Sequence, residues 1–290
     1  MNIIIHRGTH QIGGSAIEIS TASTSIILDS RNELSLDEKY TPINLDIDGV
    51  TKVILDCDGI VISHYHMDHL GQLTSALPEI PLYMGELSKE VAMIATQHQD
   101  KDLYLRLLDA NTFRGGEAFT IGNIHIRPLV IDHSAVDSYM FVIEAEGKRV
   151  LYTGDFRMHG VRGHVLEKLI RTYIGDVDVL ITEGTSLSRN AHDGISEREV
   201  LDDISSYIQD GKYVFVMCSS TNIDRIMGIW HNMPTDKVLI CDAYQKRILD
   251  TVIDNVYYDS SLYRRPDSPL VLDIGAYPKY YMDNGFVSLV

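Results

Sequence analysis

Short apolar runs rich in β-branched residues dominate the first half of the chain, and polar or glycine-containing segments separate them. Runs of this kind are typical of β-strands. One connecting segment, EAEGKR, has the composition of a tight hairpin turn. The predicted strands are NIII (2–5), SAIEIS (15–20), TSIILD (24–29), GIVIS (59–63), NIHIRPLV (123–130), SYMFVIEA, KRVLYT (148–153) and DVLIT (178–182).

In other segments the apolar residues recur every three to four positions, which predicts amphipathic helices. In the last third of the chain, the apolar runs VFVMCS and KVLICD alternate with such segments, an order typical of a parallel sheet. We therefore place a boundary at the polar stretch 188–196, with one domain over 1–195 and a βαβα segment over 196–290. The predicted helices are 86–98, 163–173, 196–209, 221–232 and 243–254.

The composition is that of a globular protein. The 290 residues are 44% hydrophobic and 23% charged, so that a sizeable core is available. The opening MNIIIHRG is too short in apolar residues for a signal peptide or a membrane span, which favours the cytoplasm and argues against a membrane partner. The formal net charge of -16 argues against unspecific binding to phosphate backbones but leaves room for a local basic groove.

The three cysteines are too widely spaced for a disulfide framework or a zinc knuckle. Cys57, Cys218 and Cys241 each lie in or beside an apolar run. We therefore expect reduced thiols in the core.

The segment SHYHMDHLGQ (63–72) concentrates metal-binding side chains directly after a predicted strand. His64 and His66 are two residues apart and therefore point to the same side of an extended chain. Asp68 and His69 follow on the turn. Imidazole nitrogens and a carboxylate suit zinc foremost, and manganese or iron as alternatives. A chance group of surface histidines is disfavoured, because crowded imidazoles without a metal would repel or lack partners.

Two further candidates follow predicted strands downstream. His133 stands in VIDHSAVDS, and Asp155 stands in VLYTGDFRMHG at a Gly-Asp turn. A single residue of this kind at a strand end more often caps a turn. Together with the histidine-rich segment, however, both become candidate metal ligands.

In these motifs the sequence resembles the metallo-β-lactamase superfamily, whose H-x-H-x-D-H signature stands here as His64, His66, Asp68 and His69. The segments HSAVDS, TGDFRMHG and TEGTS resemble the β-CASP branch, which contains ribonuclease J-like nucleases. The resemblance implies an α/β fold, an αβ/βα four-layer sandwich with a partial β-CASP-like βαβα segment at the C-terminal end.

The resemblance also implies two divalent metal ions. His64, His66 and His133 would hold one ion, Asp68 and His69 would belong to the second, and Asp155 would bridge both. Two such ions lower the pKa of a shared water molecule and stabilise the charge that builds on a phosphoryl or acyl centre. Asp68 is in addition expected to take a proton from that water.

Further residues receive expected roles from the same resemblance. Glu183, in ITEGTS, matches the acidic position that closes the catalytic half and is the second expected catalytic residue. Asp29, Ser134 and Asp137 are expected to support the metal ligands, although Asp29 is followed by SRN and not by the usual glycine. Arg157 is the expected contact for a substrate phosphate.

The sequence departs from the family at its end. The superfamily uses a late histidine for the second metal, whereas the last histidine here is His231, within the helical segment NIDRIMGIWHNM. We expect His231 to be a half-exposed helix residue and not a ligand. The inserted domain is therefore expected to be incomplete and the returning part of the fold to be absent.

Three functions stay open. The first is hydrolysis of RNA phosphodiesters, with RNA as the partner. The second is hydrolysis of a small thioester, lactone or phosphoester by the same metals, which the acidic charge favours. The third is a binding protein whose metal site is incomplete. A homodimer is a further expected assembly.

Overall fold

The computed structural model describes the chain except for residues 11–12, 33–43, 53–54, 186–193, 259, 267–270 and 274–278. The chain divides by its internal contacts into two units. The first unit consists of Met1–His133, Asp137–Phe156 and Val165–Arg189, and the second of Ser134–Val136, Arg157–His164 and Asn190–Val290. The predicted boundary at 195/196 therefore lies just inside the second unit, which also takes two short segments from the earlier part of the chain.

Two sheets form the first unit. One has six strands, which are in spatial order β1 (Asn2–Arg7), β2 (Ala16–Ser20), β3 (Ser25–Leu28), β4 (Gly59–Val61), β5 (Leu82–Gly85) and β6 (Asn111–Phe113). The other has five strands, which are β11 (Val179–Ile181), β10 (Lys148–Tyr152), β9 (Ser138–Ala145), β8 (Ile124–Ile131) and β7 (Phe119–Ile121). Strands β3 to β6 run parallel to one another, whereas β2 is antiparallel to both β1 and β3.

The main core of the first unit lies between the two sheets. Alternate residues of β2 and β3, such as Ile19 and Ile26, pack with Phe141 and Val150 of the other sheet in one cluster of buried side chains. Period-two alternation turns such residues to one face of a strand. A second cluster, which includes Met140 of β9, covers the outer face of the five-stranded sheet.

Helices cover the outer faces of both sheets. Helices α2 (Glu86–Thr96) and α3 (Lys101–Leu108) pack together, and α2 contacts β5 and β6. The outer cluster on the five-stranded sheet includes Leu166 of the short helix α4 (Leu166–Leu169). The layers therefore follow the expected αβ/βα order, and the predicted fold class is confirmed.

The longer predicted strands of the first unit are confirmed within a few residues. The hairpin turn between β9 and β10 is also confirmed, because Glu146 and Gly147 both have positive φ angles, as a two-residue turn of this type requires. Strands β5, β6 and β7 and helix α3 were missed. The three strands read LYMG, NTF and FTI, and none contains the run of aliphatic residues that predicts a strand.

The predicted helix 163–173 is only partly right. A 3-10 turn (Gly163–Val165) precedes α4, and a wide π-type turn (Ile170–Ile174) follows it. The chain leaves this turn at Gly175, whose φ of +64° is accessible to glycine, and the amide of Gly175 donates to the carbonyl of Ile170.

The second unit contains a four-stranded parallel sheet. Its strands in spatial order are β12 (Tyr213–Val216), β15 (Phe286–Leu289), β13 (Val238–Cys241) and β14 (Val271–Asp273). The helices of the second unit are α5 (Glu197–Asp210), α6 (Ile223–His231), α7 (Ala243–Asn255) and α8 (Lys279–Asn284). The last strand, β15, was not predicted, although it lies between β12 and β13. Among the described residues, no helix has the length and apolar character needed to cross a membrane.

Candidate metal centre

The predicted metal ligands follow strands that run in the same direction within each sheet. His64 and His66 follow β4, which is parallel to β3. His133 follows β8, and Asp155 follows β10, and both of these strands pair antiparallel with β9. Asp68 and His69 lie on the short helix α1 (Met67–Leu70), directly after the histidine pair.

Three imidazole rings converge at the centre of the site. The His66 Nδ1 atom lies 3.0 Å from Nε2 of His64 and 3.1 Å from Nε2 of His133. Two nitrogen ligands about 2.0–2.1 Å from a tetrahedral zinc ion lie roughly 3.3 Å apart, so this spacing fits a metal. Burial lowers the pKa of both His64 and His66, which keeps the rings neutral as metal binding requires.

Asp29 is a fully buried carboxylate that holds this region together. It accepts hydrogen bonds from the amide and the hydroxyl of Ser63, at 2.8 and 2.9 Å, and from the hydroxyl of Tyr152. Its Oδ2 atom lies 3.0 Å from Nδ1 of His69. Burial alone would raise the pKa of Asp29, but His69 and Arg31 outweigh it and lower this pKa. The contact with His69 is the kind of carboxylate support that orients a metal-binding histidine.

The residues expected at the second metal ion also lie together. The His69 Nε2 atom is 3.3 Å from Oδ2 of Asp155 and 3.7 Å from Oδ2 of Asp68. Burial alone would lower the pKa of His69, but the carboxylates of Asp29 and Asp155 raise it to about 9. Burial raises the pKa of Asp155, and the contacts with His69 and Arg31 overcome this effect and lower it.

Arg31 is part of the site, and sequence reasoning missed it. Its Nη2 atom lies 2.7 Å from Oδ2 of Asp155 and 3.1 Å from Oδ2 of Asp68, and the side chain is buried. The only sequence signal was the replacement of the usual glycine by SRN after Asp29. No spacing rule would have placed this side chain between the two carboxylates.

The two expected metal positions therefore differ in how well they fit a cation. The nitrogens of His64, His66 and His133 lie within 4.8 Å of one another, so this group fits a divalent ion. His64, His69 and Asp155 form a second group of the same size, but Arg31 already contacts Asp155. Two unit charges about 4 Å apart interact by about 4 kcal/mol at an effective dielectric constant of about 20, and a divalent ion doubles this repulsion.

A cavity of about 550 Å³ opens beside Arg31 and Asp155. Asp155, Arg31 and Glu183 lie in its wall. The Glu183 carboxylate accepts a hydrogen bond of 3.0 Å from the amide of Phe156, directly after Asp155. Glu183 thus supports the turn that carries Asp155, and its catalytic role stays a prediction.

The remaining predicted residues occupy different surroundings. Asp137 is buried with a φ of +61°, and it accepts hydrogen bonds from the amide of Ser88 and the hydroxyl of Tyr139. It therefore fixes the loop after β8. Ser134 is half-buried and follows His133 directly, and its supporting role stays a prediction.

Arg157 belongs to the second unit and not to the group of metal ligands. Its guanidinium lies 3.3 Å from Glu197 and 3.4 Å from Asp224, and both carboxylates are buried. These ion pairs fix the Arg157 side chain, and its contact with a substrate phosphate stays a prediction. His231 ends α6 as an exposed residue whose Nε2 atom lies 2.9 Å from the carbonyl of Leu262, in agreement with the expected helix position.

Two facing sheets covered by helices, with a histidine cluster at the strand ends, define the metallo-β-lactamase type of fold. A family model described as a beta-lactamase superfamily domain matches residues 45–206. The chain belongs to this superfamily, and the resemblance found in the sequence is confirmed. The fold of this superfamily implies divalent metal ions, and the histidine cluster is compatible with them.

Several curated relatives carry nuclease names. The chain is 26% identical to an RNase J-like protein of Methanocaldococcus jannaschii over 223 residues, which are 73% of this chain and 49% of that protein. It is 24% identical to ribonuclease J of Sinorhizobium meliloti over 67% of this chain and 36% of that protein. It is 24% identical to endoribonuclease YSH1 of Gibberella zeae over 89% of this chain and 32% of that protein. The chain therefore spans half or less of the length of these relatives.

A solved structure shares the fold over nearly the whole chain. This protein of unknown function from Enterococcus faecalis V583 superimposes with a TM-score of 0.79 at 16% sequence identity. The match covers 99% of this chain and 76% of that protein. At this identity the likeness shows the fold alone.

Proposed function

We propose that the chain is a metal-dependent phosphodiesterase that hydrolyses RNA. The observation that carries the proposal is the group of three imidazole nitrogens beside Asp68 and Asp155. The nuclease names of the curated relatives support RNA as the substrate. The metal identity is open between zinc, manganese and iron, all of which imidazole and carboxylate ligands accept.

Different side chains of the site have different proposed roles in hydrolysis. A bound divalent ion supplies an activated water and a positive charge next to the phosphoryl oxygens. Asp68 is the proposed proton acceptor for that water, because its carboxylate is partly exposed and adjoins the ligands. Asp29 and Ser63 hold the rings of His69 and His64 in place, since the Ser63 hydroxyl lies 3.1 Å from Nδ1 of His64.

A small ester is the second candidate substrate. The cavity of about 550 Å³ has the size of a small-molecule site, and the formal net charge of -16 disfavours long stretches of phosphate backbone. The same residues would then act on a thioester, a lactone or a phosphoester.

The test compares two substrates on the full chain. A labelled single-stranded RNA and a chromogenic phosphodiester are each incubated with added zinc or manganese. We expect turnover of both substrates, and a loss of about 100-fold or more in Asp68→Ala. The matched control is Asp102→Ala, which removes an exposed aspartate from α3.

Each outcome of this test is informative. RNA cleavage lost in Asp68→Ala and kept in Asp102→Ala supports the nuclease. Turnover of the chromogenic ester without RNA cleavage favours a small phosphoester. Cleavage that persists unchanged in Asp68→Ala would contradict the assigned site.

A further inference from the structure

The Arg31 side chain lies between Asp68 and Asp155, the carboxylates that the family resemblance assigns to the second metal ion. Resting on the proposed function, we infer that the chain holds a single metal ion at His64, His66 and His133, and that the guanidinium of Arg31 replaces the second ion between Asp68 and Asp155. The proposed hydrolysis then uses one metal cation and one permanent side-chain cation.

The charges of the site support this replacement. Asp68 and Asp155, the carboxylates expected at the second metal, both form ion pairs with Nη2 of Arg31, at 3.1 and 2.7 Å. The third carboxylate, Asp29, faces His69. A guanidinium keeps its charge at every accessible pH, so a second divalent ion at these carboxylates would have to approach a fixed cation.

The backbone around Arg31 holds the side chain in this position. The Arg31 amide donates to the carbonyl of Ser15 at 3.2 Å, and its own carbonyl accepts from the guanidinium of Arg7 at 2.6 Å. The next amide, that of Asn32, donates to the carbonyl of Asp68 at 2.6 Å. Arg31 is thus tied both to the β1–β2 hairpin and to the segment that carries the metal ligands, and it is preorganised.

The guanidinium can also reach a substrate. Arg31 lies in the wall of the cavity together with Asp155 and Glu183. A planar guanidinium carries a delocalised positive charge that matches phosphoryl oxygens. The Arg31 guanidinium is therefore placed to stabilise the oxygen that a second metal would otherwise bind.

Metal stoichiometry tests the inference separately from activity. The full chain is stripped with a chelator, reloaded with zinc, and measured by elemental analysis and native mass spectrometry. We compare the wild type with Arg31→Gln, Arg31→Lys and the control Arg171→Gln, whose side chain is exposed on the surface. Circular dichroism confirms that each variant is folded, and the chromogenic phosphodiester gives turnover.

We expect one ion per chain in the wild type, in Arg31→Lys and in Arg171→Gln. Arg31→Gln should either take up a second ion, because Asp68 and Asp155 lose their paired cation, or keep one ion and lose turnover by about 100-fold. Two ions in the wild type would overturn the inference alone. Arg31→Gln with one ion and unchanged turnover would also overturn it. A wild type without any bound ion would overturn the proposed function, and this inference with it.

Discussion

At the scale of single residues, the site contains side chains that could bind the metal and other side chains that only hold these ligands in place. His64, His66 and His133 contribute nitrogens that only a cation or a shared proton can satisfy at separations near 3 Å. Asp29 contributes no ligand, yet it contacts Ser63, Tyr152 and His69 at once. Substitutions of the two kinds should therefore have different effects.

Removal of a ligand should act on the metal. We expect His66→Ala to lower zinc affinity by at least 100-fold, because it removes the ring that adjoins both other imidazoles. The matched control is His98→Ala, which truncates an exposed histidine outside the site. Competition with a chromogenic chelator measures both affinities, and an unchanged affinity in His66→Ala would contradict the assigned ligands.

Removal of a hydrogen bond to Asp29 should lower the stability of the chain. Tyr152→Phe deletes the hydroxyl that donates to the buried carboxylate of Asp29. Hydrogen bonds to charged groups contribute about 1.5–3 kcal/mol, and we expect the free energy of unfolding in urea to fall by about this amount. Tyr173→Phe, at a side chain that is 54% exposed, should change it by less than about 0.5 kcal/mol. Equal effects of the two substitutions would argue against the buried bond.

Much of the site was predictable at this scale because the ligands are neighbours in sequence. The spacing of His64, His66, Asp68 and His69 after a strand was sufficient to predict a metal site. Arg31 was not predictable, since its partners are 37 and 124 residues away along the chain. The prediction for Arg157 rests on its nearness to Asp155 in sequence and stays a prediction, and the ion pairs with the buried carboxylates of Glu197 and Asp224 were not predictable from that nearness.

At the scale of elements, strands that contain a run of aliphatic residues were predictable and strands without one were not. Strands β8 and β9 were found, and so were the three-residue strands β4 and β11 within GIVIS and DVLIT, whereas β5, β6 and β7, which read LYMG, NTF and FTI, were missed. Hydrogen bonds to a neighbouring strand define such short elements, and a local pattern carries no record of that neighbour. The turns that end the strands matter more for the site, because they carry the ligands.

Gly154 is the turn residue that presents Asp155. Its φ is +55°, and a Cβ atom would lie 3.0 Å from the carbonyl oxygen of Tyr139 and from Cβ of Ser63. We expect Gly154→Ala to destabilise the chain and to lower turnover about tenfold or more, because Asp155 would shift. At Gly116 the φ of +85° is also positive, but an added Cβ atom would meet no atom of the described residues within 4 Å, so Gly116→Ala is expected to cost only about 1 kcal/mol. Urea unfolding and phosphodiester turnover of both variants decide whether the close contact matters.

At the scale of the whole molecule, each unit has its own buried core, and both units contain cysteines. None of the three cysteines, all of which the structure describes, forms a disulfide, as expected from the sequence. Cys57 of the first unit and Cys241 of the second unit are buried, whereas Cys218 is half-buried. The expected core position is therefore confirmed for Cys57 and Cys241, whereas Cys218 is only half-buried.

Thiol reactivity should follow this difference. Burial raises the pKa of Cys57 to about 11, so that its reactive thiolate is scarce at pH 8. We expect the folded chain to react rapidly with at most one equivalent of a disulfide reagent at this pH, and the denatured chain with three. Mass spectrometry after brief alkylation identifies the labelled residue, and rapid labelling of Cys57 in the folded chain would contradict the packing described here.

The separation of His133 from His64 and His66 along the chain has a consequence for biosynthesis. His133 lies 67 residues after His66, and its strand belongs to the other sheet. A growing chain that leaves the ribosome therefore offers two imidazoles at first, and the third joins them only after the two sheets have met. Tight metal binding is therefore expected only after the two sheets have met. The metal ion then stabilises the folded state after the slow pairing of distant strands.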